Sequence, residues 1–196
     1  MKDEPAHCPF SICCDNREQS PWSFRGLTAN ADRDYRPLLV DVRPATLATG
    51  DYSIAGFESQ ITIERKSLSD AFSTFTHDRE RWERELERMR SIPSCHVVIE
   101  AGWEELSAGP VRDGGAKVGK AVMRSIFAWT IRYPHVHWWA MPSREFAEVT
   151  AFRLLEKFWE EDQWQLKELG KLSLEPASGS PRKSRQSRET RSLPGL

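Results

Sequence analysis

The segment 50–70, GDYSIAGFESQITIERKSLSD, holds the residues best suited to chemistry on an anionic ester. Side chains alternate along a strand, so over 60–66 Ile61, Ile63 and Arg65 share one face and Thr62, Glu64 and Lys66 the other. The isoleucines mark the face that packs inward. Glu64 and Lys66 then stand side by side on the opposite face. A hairpin with its tip near Phe57 brings Asp51 back beside Glu64 or Lys66. An aspartate facing a Glu-x-Lys on a paired strand is the layout of a metal-dependent phosphodiesterase. Two carboxylates hold a hard cation such as magnesium, which prefers oxygen ligands. The cation polarises the phosphate and lowers the pKa of a bound water. The lysine orients that water or stabilises developing charge. Asp15 ends the first strand and Asp70 opens the helix after 60–66, so both can reach the same sheet end and make room for a second ion.

Each residue also has a plainer explanation. Glu64 with Lys66 can be a solvated ion pair on an exposed strand. Asp70 lies three residues after Ser67, the spacing of a helix capping box. Asp15 can start a turn, and Asp51 after Gly50 can be a turn residue. The convergence of four carboxylates and one lysine on one sheet edge is what favours chemistry.

The elements that must position these groups follow from periodicity. Strands are predicted over 10–14, 38–42, 52–55, 60–66, 95–100 and 136–140. Helices are predicted over 67–75, 78–90, 118–132 and from Pro142 to about Leu169. A long loop fills the gap from 15 to 35, and a Gly-rich loop covers 109–119. Trp82, Leu86 and Met89 form one helical stripe, and Val118, Val122, Ile126 and Trp129 another. Of Trp138 and Trp139, adjacent in a strand, one is expected to face out. Early strands in hairpin order followed by strand-helix-strand-helix predict an α/β fold, a mixed central sheet flanked by helices. The last helix carries a wide apolar arc, including Phe146, Leu155 and Phe158, that suits either the core or a homodimer face. The chain divides into one domain, 1–172, and a Ser-, Pro- and Arg-rich tail, 173–196, expected to be disordered.

Composition sets outer limits. The 196 residues are 39% hydrophobic and 29% charged, with a formal net charge of -1. Nucleic-acid-binding domains are usually basic, so the total speaks against one. The charge is unevenly placed, however. The tail has five basic residues (Arg182, Lys183, Arg185, Arg188, Arg191) and two acidic ones (Glu175, Glu189), a net of +3. The body is therefore at -4, and five of its acids, Asp15, Glu18, Asp51, Glu64 and Asp70, belong to the candidate site. No apolar run is long enough to span a membrane and MKDEPAHC is not a signal peptide. An intracellular protein is expected, cytoplasmic in a prokaryote and nuclear in a eukaryote. Cys8, Cys13, Cys14 and Cys95 read as free thiols, and with His7 they fit no common zinc spacing. Gly114 to Ala121, GGAKVGKA, fits a phosphate loop except for its last position. Ala121 replaces the Ser or Thr that would hold magnesium, which argues against an ATPase. Lys117 and Lys120 in that stretch, and Arg79 on the helix 78–90, are candidate contacts for an anionic substrate, the lysines being otherwise a polar loop and first helical turn. The remaining arginines of that helix suit i,i+4 pairs, Glu80 with Arg84 and Arg81 with Glu85.

Three motifs together, Asp15-x-Arg17-Glu18, Gly50-Asp51 and Glu64-Arg65-Lys66-x-x-x-Asp70, resemble the nuclease domain of the XPF/Mus structure-specific endonucleases. CHVVIE and SIFAWTIRYPHVHWW are similar to later parts of that domain, so the likeness covers roughly 10–165. The resemblance implies a restriction-endonuclease-like fold and Mg2+- or Mn2+-dependent cleavage of branched, flap or fork DNA in repair or recombination. It implies Asp15, Asp51 and Glu64 as metal ligands and Lys66 as the group that positions water. Asp70 and Glu18 would support metal or substrate. Arg17 and Arg65 would contact phosphate or brace the carboxylates, although alternation turns Arg65 away from Glu64. The helix-hairpin-helix module that many relatives carry is not found after Leu172. That leaves the tail, a homodimer or a partner protein to supply extra DNA grip. The alternative is a non-catalytic DNA-binding or scaffolding module of the same fold.

Overall fold

The computed structural model describes residues 4–30, 35–110 and 114–174. Among the described residues four strands come first, followed by helices interleaved with two further strands. In order they are β1 (Ala6–Asp15), β2 (Leu38–Ala45), β3 (Tyr52–Ile54), β4 (Ile61–Lys66), α1 (Leu68–Thr76), α2 (Arg79–Met89), β5 (Ser94–Ile99), α3 (Trp103–Ala108), α4 (Ala116–Arg132), β6 (Val136–Ala140) and α5 (Arg144–Leu174). The strands form one mixed sheet in the order β2-β1-β3-β4-β5-β6. β3 is antiparallel to both β1 and β4, and the remaining neighbours are parallel. The chain separates into two compact units, 1–161 and 162–196, and the whole sheet belongs to the first. Most of the expected tail lies outside the described residues. No helix among the described residues is long and apolar enough to cross a membrane.

Strand alternation builds two cores, one on each face. On one face Phe10, Ile12, Tyr52, Ile54, Ile61, Ile63 and Val98 pack against Ala147, Ala151, Phe152 and Leu155 of α5. On the other, Cys95, Val97 and Ile99 pack against the stripes of α1, α2 and α4. Phe75, Trp82, Trp129 and Trp138 meet there ring against ring, with centroids 5.4 to 6.4 Å apart. Trp138 therefore faces this core, and Trp139 packs on the α5 side. Neither tryptophan faces out, because helices cover both sides of β6.

β1 and β2 are parallel neighbours rather than a hairpin, since the connection between them is a strap across the α5 face. Its anchors are Trp22, Phe24 and Leu27, all buried. The Trp22 N–H donates to the Tyr52 hydroxyl at 2.8 Å, and the two rings stack with centroids 4.9 Å apart. These residues have no period, which hid them from a periodicity reading.

The Gly-rich stretch also changes character. α3 intervenes after β5, α4 begins at Ala116, and Gly119 lies inside α4. A Cβ on Gly119 would come within 2.1 Å of the Ser107 carbonyl oxygen, so this glycine lets α3 and α4 touch. A strand–loop–helix cradle for a nucleotide is not formed there. All four cysteines are free.

Candidate active site

β1 ends at Asp15, β3 begins at Tyr52 and β4 ends at Lys66, so three strand ends meet at one edge of the sheet. The register sets Tyr52 opposite Ile63, which places Asp51 opposite Glu64. Backbone bonds lock the junction. The Asp51 N–H donates to the Ile63 carbonyl, and the Asp15 N–H donates to the Asp51 carbonyl, both at 2.8 Å. The Arg65 N–H donates to Asp51 Oδ2 at 2.7 Å, which fixes that carboxylate in the pocket. Gly50 adopts φ +76°, and a Cβ there would lie 2.0 Å from Thr62 Oγ1. Only glycine allows the chain to turn into Asp51 so close to β4.

The result is a pocket of about 240 Å³. Asp15, Asp51, Glu64 and Lys66 line it from the sheet, Arg17 and Glu18 from the segment after β1, and Arg81 and Glu85 from α2. Burial pushes the Asp51 carboxyl well above the usual range, and the nearby Glu64 charge adds to the rise. Lys66 is ion-paired with Glu64 Oε1, and its ammonium lies 5.0 Å from the Trp82 ring centroid. Burial works to lower the Lys66 pKa, but the Glu64 charge and hydrogen bond outweigh it, so the lysine stays protonated more strongly than in water.

Asp15 is held differently. Its Oδ1 accepts from the Arg17 N–H at 2.8 Å and from Arg17 Nε at 2.7 Å. Its Oδ2 accepts from Arg17 Nη2 at 2.9 Å and from the Leu47 N–H at 2.7 Å. The Arg17 hydrogen bonds outweigh burial and lower the Asp15 pKa to about 2. Both Asp15 oxygens are thus already committed.

Arg65 points away from the pocket, as alternation requires. It makes a bidentate pair with Glu100, at 2.7 and 2.9 Å, and reaches Glu18 Oε1 at 3.2 Å. Glu100 Oε1 also accepts from Trp22 Nε1 and Arg144 Nη1, each at 2.8 Å. Arg65 is therefore a brace that ties β4 to the strap and α5. Asp70 is not among the pocket residues. Its Oδ2 accepts from the Ser67 hydroxyl at 2.6 Å and its N–H donates back to Ser67 at 3.2 Å, so Asp70 sits in the first turn of α1 and is engaged by the N-cap Ser67. Arg79 turns toward α4, bonding Ser125, with its guanidinium 4.7 Å from the Trp129 centroid. It also pairs with Glu83 at 3.1 Å. Lys117 and Lys120 lie on the first turns of α4, exposed and apart from this pocket.

Two wall residues, Arg81 and Glu85, were expected to pair with each other. Instead Glu85 accepts from the Thr49 hydroxyl and pairs with Arg88. The pairs on α2 run Arg79–Glu83, Glu85–Arg88 and Glu87–Arg90. Their 81-to-85 spacing was the signal, but it could not show that α2 faces a pocket.

Among the described residues no three His, Cys, Asp or Glu side chains converge as a ready-made metal cage. The site fits a divalent cation through two carboxylates. Asp51 and Glu64 repel each other in a buried pocket, and a cation relieves that repulsion. A magnesium ion commonly uses only one or two carboxylates, with water and substrate phosphate completing its shell. Asp15 shapes the pocket beside that pair, held by Arg17.

Residues 14–152 match the sequence profile of the ERCC4 domain. No curated protein sequence matches the chain significantly. Among solved structures, XPF from Aeropyrum pernix is similar, with a TM-score of 0.52 over 92% of this chain and 69% of that one. The two share 16% sequence identity, so the likeness is one of fold.

Proposed function

The chain belongs to the ERCC4 domain family and has its nuclease-type fold, and from that premise we propose that it is a divalent-metal-dependent DNA endonuclease. Its substrates are phosphodiester bonds at branched, flap or fork DNA, in repair or recombination. The observation that carries this reading is the meeting of Asp51, Glu64 and Lys66 in one pocket at the sheet edge. Oδ1 of Asp51 and Oε2 of Glu64, the oxygens not taken by Arg65 and Lys66, would hold Mg2+ or Mn2+. When bound, such a cation polarises the scissile phosphate and lowers the pKa of water.

The protein's own residues do the rest. The Arg65 N–H keeps Asp51 from turning away. Lys66 is held between Glu64 and the Trp82 face, so its ammonium has a fixed position. From there it donates to the attacking water or to charge building on the phosphate oxygens. Arg17 holds Asp15 as a rigid carboxylate beside them.

Labelled flap, fork and duplex DNA with Mg2+ or Mn2+ tests the reading. Wild type cleaves at least one of them, and Asp51→Ala and Lys66→Ala do not. Cleavage unchanged in both variants overturns the mechanism. The committed Asp15 favours a second reading, a non-catalytic DNA-binding or scaffolding module. DNA binding without cleavage in any metal would support that one.

A further inference from the structure

Four cations stand at or behind the pocket, and three are already engaged. Arg17 is committed to Asp15 and to the Leu47 carbonyl. Lys66 is committed to Glu64, and Arg65 to Glu18 and Glu100. The Arg81 side chain has no hydrogen bond or ion pair to the described residues, although it lines the pocket directly. It is exposed and projects from α2, the wall opposite the strand ends. The sheet side carries Asp15, Asp51 and Glu64, and on the helix side Glu85 is taken up by Thr49 and Arg88, which leaves Arg81 as the one unengaged charge of that wall among the described residues. Arg81 also lines a neighbouring furrow of about 440 Å³ along α2, where Arg79, Arg84 and His77 outnumber the acids Asp78 and Glu80.

A phosphodiester carries a negative charge, and the acids on the sheet side repel it. Something must draw it in and hold it against them. A guanidinium suits this task because its planar fork can donate two parallel hydrogen bonds to a phosphate. We infer that Arg81 is the substrate-binding residue that grips a phosphate of the cleaved strand at the pocket mouth. The strand then continues along the α2 furrow. This inference rests on the proposal that the substrate is DNA. It gives α2 a role distinct from Arg79, whose guanidinium is occupied by α4.

Fluorescence anisotropy with labelled fork DNA in EDTA, at 50 and 200 mM salt, reads binding without cleavage. One lost phosphate contact reduces the salt slope by about 0.9, so the ratio of Kd at the two salts falls about 3.5-fold in Arg81→Ala. Arg81→Lys keeps the charge and restores most of the slope. Arg90→Ala is the charge-matched control. Arg90 is paired with Glu87 at 3.3 Å and stacked on Tyr133, outside the catalytic pocket, so its loss leaves the slope at the wild-type value. In cleavage assays Arg81→Ala raises KM about 10-fold or more while kcat changes far less. A wild-type slope and KM in Arg81→Ala overturn the inference, as does an equal drop in Arg90→Ala. If the wild type cleaves nothing, the proposed activity fails, yet the slopes still decide whether Arg81 grips phosphate.

Discussion

Gly50→Ala is the perturbation that the site geometry resolves most sharply. Gly50 has φ +76°, where a residue with a Cβ is strained by about 1–2 kcal/mol. The new methyl would also lie 2.0 Å from Thr62 Oγ1 and 3.1 Å from the Ile63 carbonyl oxygen. The Thr62 hydroxyl is buried and donates to the Thr49 carbonyl at 3.0 Å. It must swing away, which loses a bond of about 1 kcal/mol and strands a buried polar group at a further cost of about 1–3 kcal/mol. The variant should therefore lose about 3–6 kcal/mol in urea denaturation. It should also lose most activity, because Asp51 is the next residue. Thr62→Ala removes the obstructing hydroxyl. In that background Gly50→Ala should cost mainly the backbone strain, about 1–2 kcal/mol, with only the tight 3.1 Å approach to the Ile63 carbonyl oxygen left to relax. A double-mutant cycle reads the difference as a coupling of at least 1 kcal/mol. An equal cost in both backgrounds, or no cost at all, refutes the close approach of this turn to β4.

Two further outcomes follow from buried charges and hydrogen bonds away from that turn. Arg65→Leu leaves Glu18 without its guanidinium and Glu100 with Arg144 as its one ion pair, and denaturation should show a loss of up to about 3–5 kcal/mol. Arg65→Lys keeps the charge without the bidentate fork and should lose less; equal losses would contradict the brace. His96 is buried, and burial lowers its pKa to about 4, with His137 adding to the effect. Its Nδ1 accepts from Trp139 Nε1 at 3.1 Å, a bond that only the neutral ring can accept. The unfolded chain takes up this proton below about 6.5, and the folded chain resists until about 4. Stability from this group is full above pH 6.5 and falls by roughly 3 kcal/mol as pH drops toward 4. The difference in pH profile between wild type and His96→Gln isolates it, and parallel profiles would contradict the assignment.

The candidate site was legible where local rules suffice. Alternation over Ile61 to Lys66 separated Glu64 and Lys66 from Arg65, and a hairpin tip near Phe57 returned Asp51 to face Glu64. The Ser67–Asp70 spacing announced a helix cap, and the cap holds the aspartate away from the pocket. What was not legible depends on long-range pairing. The parallel match of β1 with β2 needs the strap of Trp22, Phe24 and Leu27, whose anchors have no period. α3 is a six-residue helix, too short to show a stripe. The tryptophans at 138 and 139 alternate as strand geometry requires, but only the tertiary packing tells that each meets a core, one on either face of β6. Arg81 could not be placed, since i,i+4 spacing names a partner and not the wall a helix presents.

In the proposed DNA-cleaving site Asp51 and Glu64 act together as a cation-holding pair. Single-turnover cleavage of labelled fork DNA in Mg2+, wild type against Asp51→Asn, tests it most directly. The amide keeps the size of the side chain and an oxygen for the Arg65 N–H, so the fold should persist by circular dichroism. Cleavage should fall at least 100-fold. A folded Asp51→Asn protein that cleaves at the wild-type rate contradicts the account.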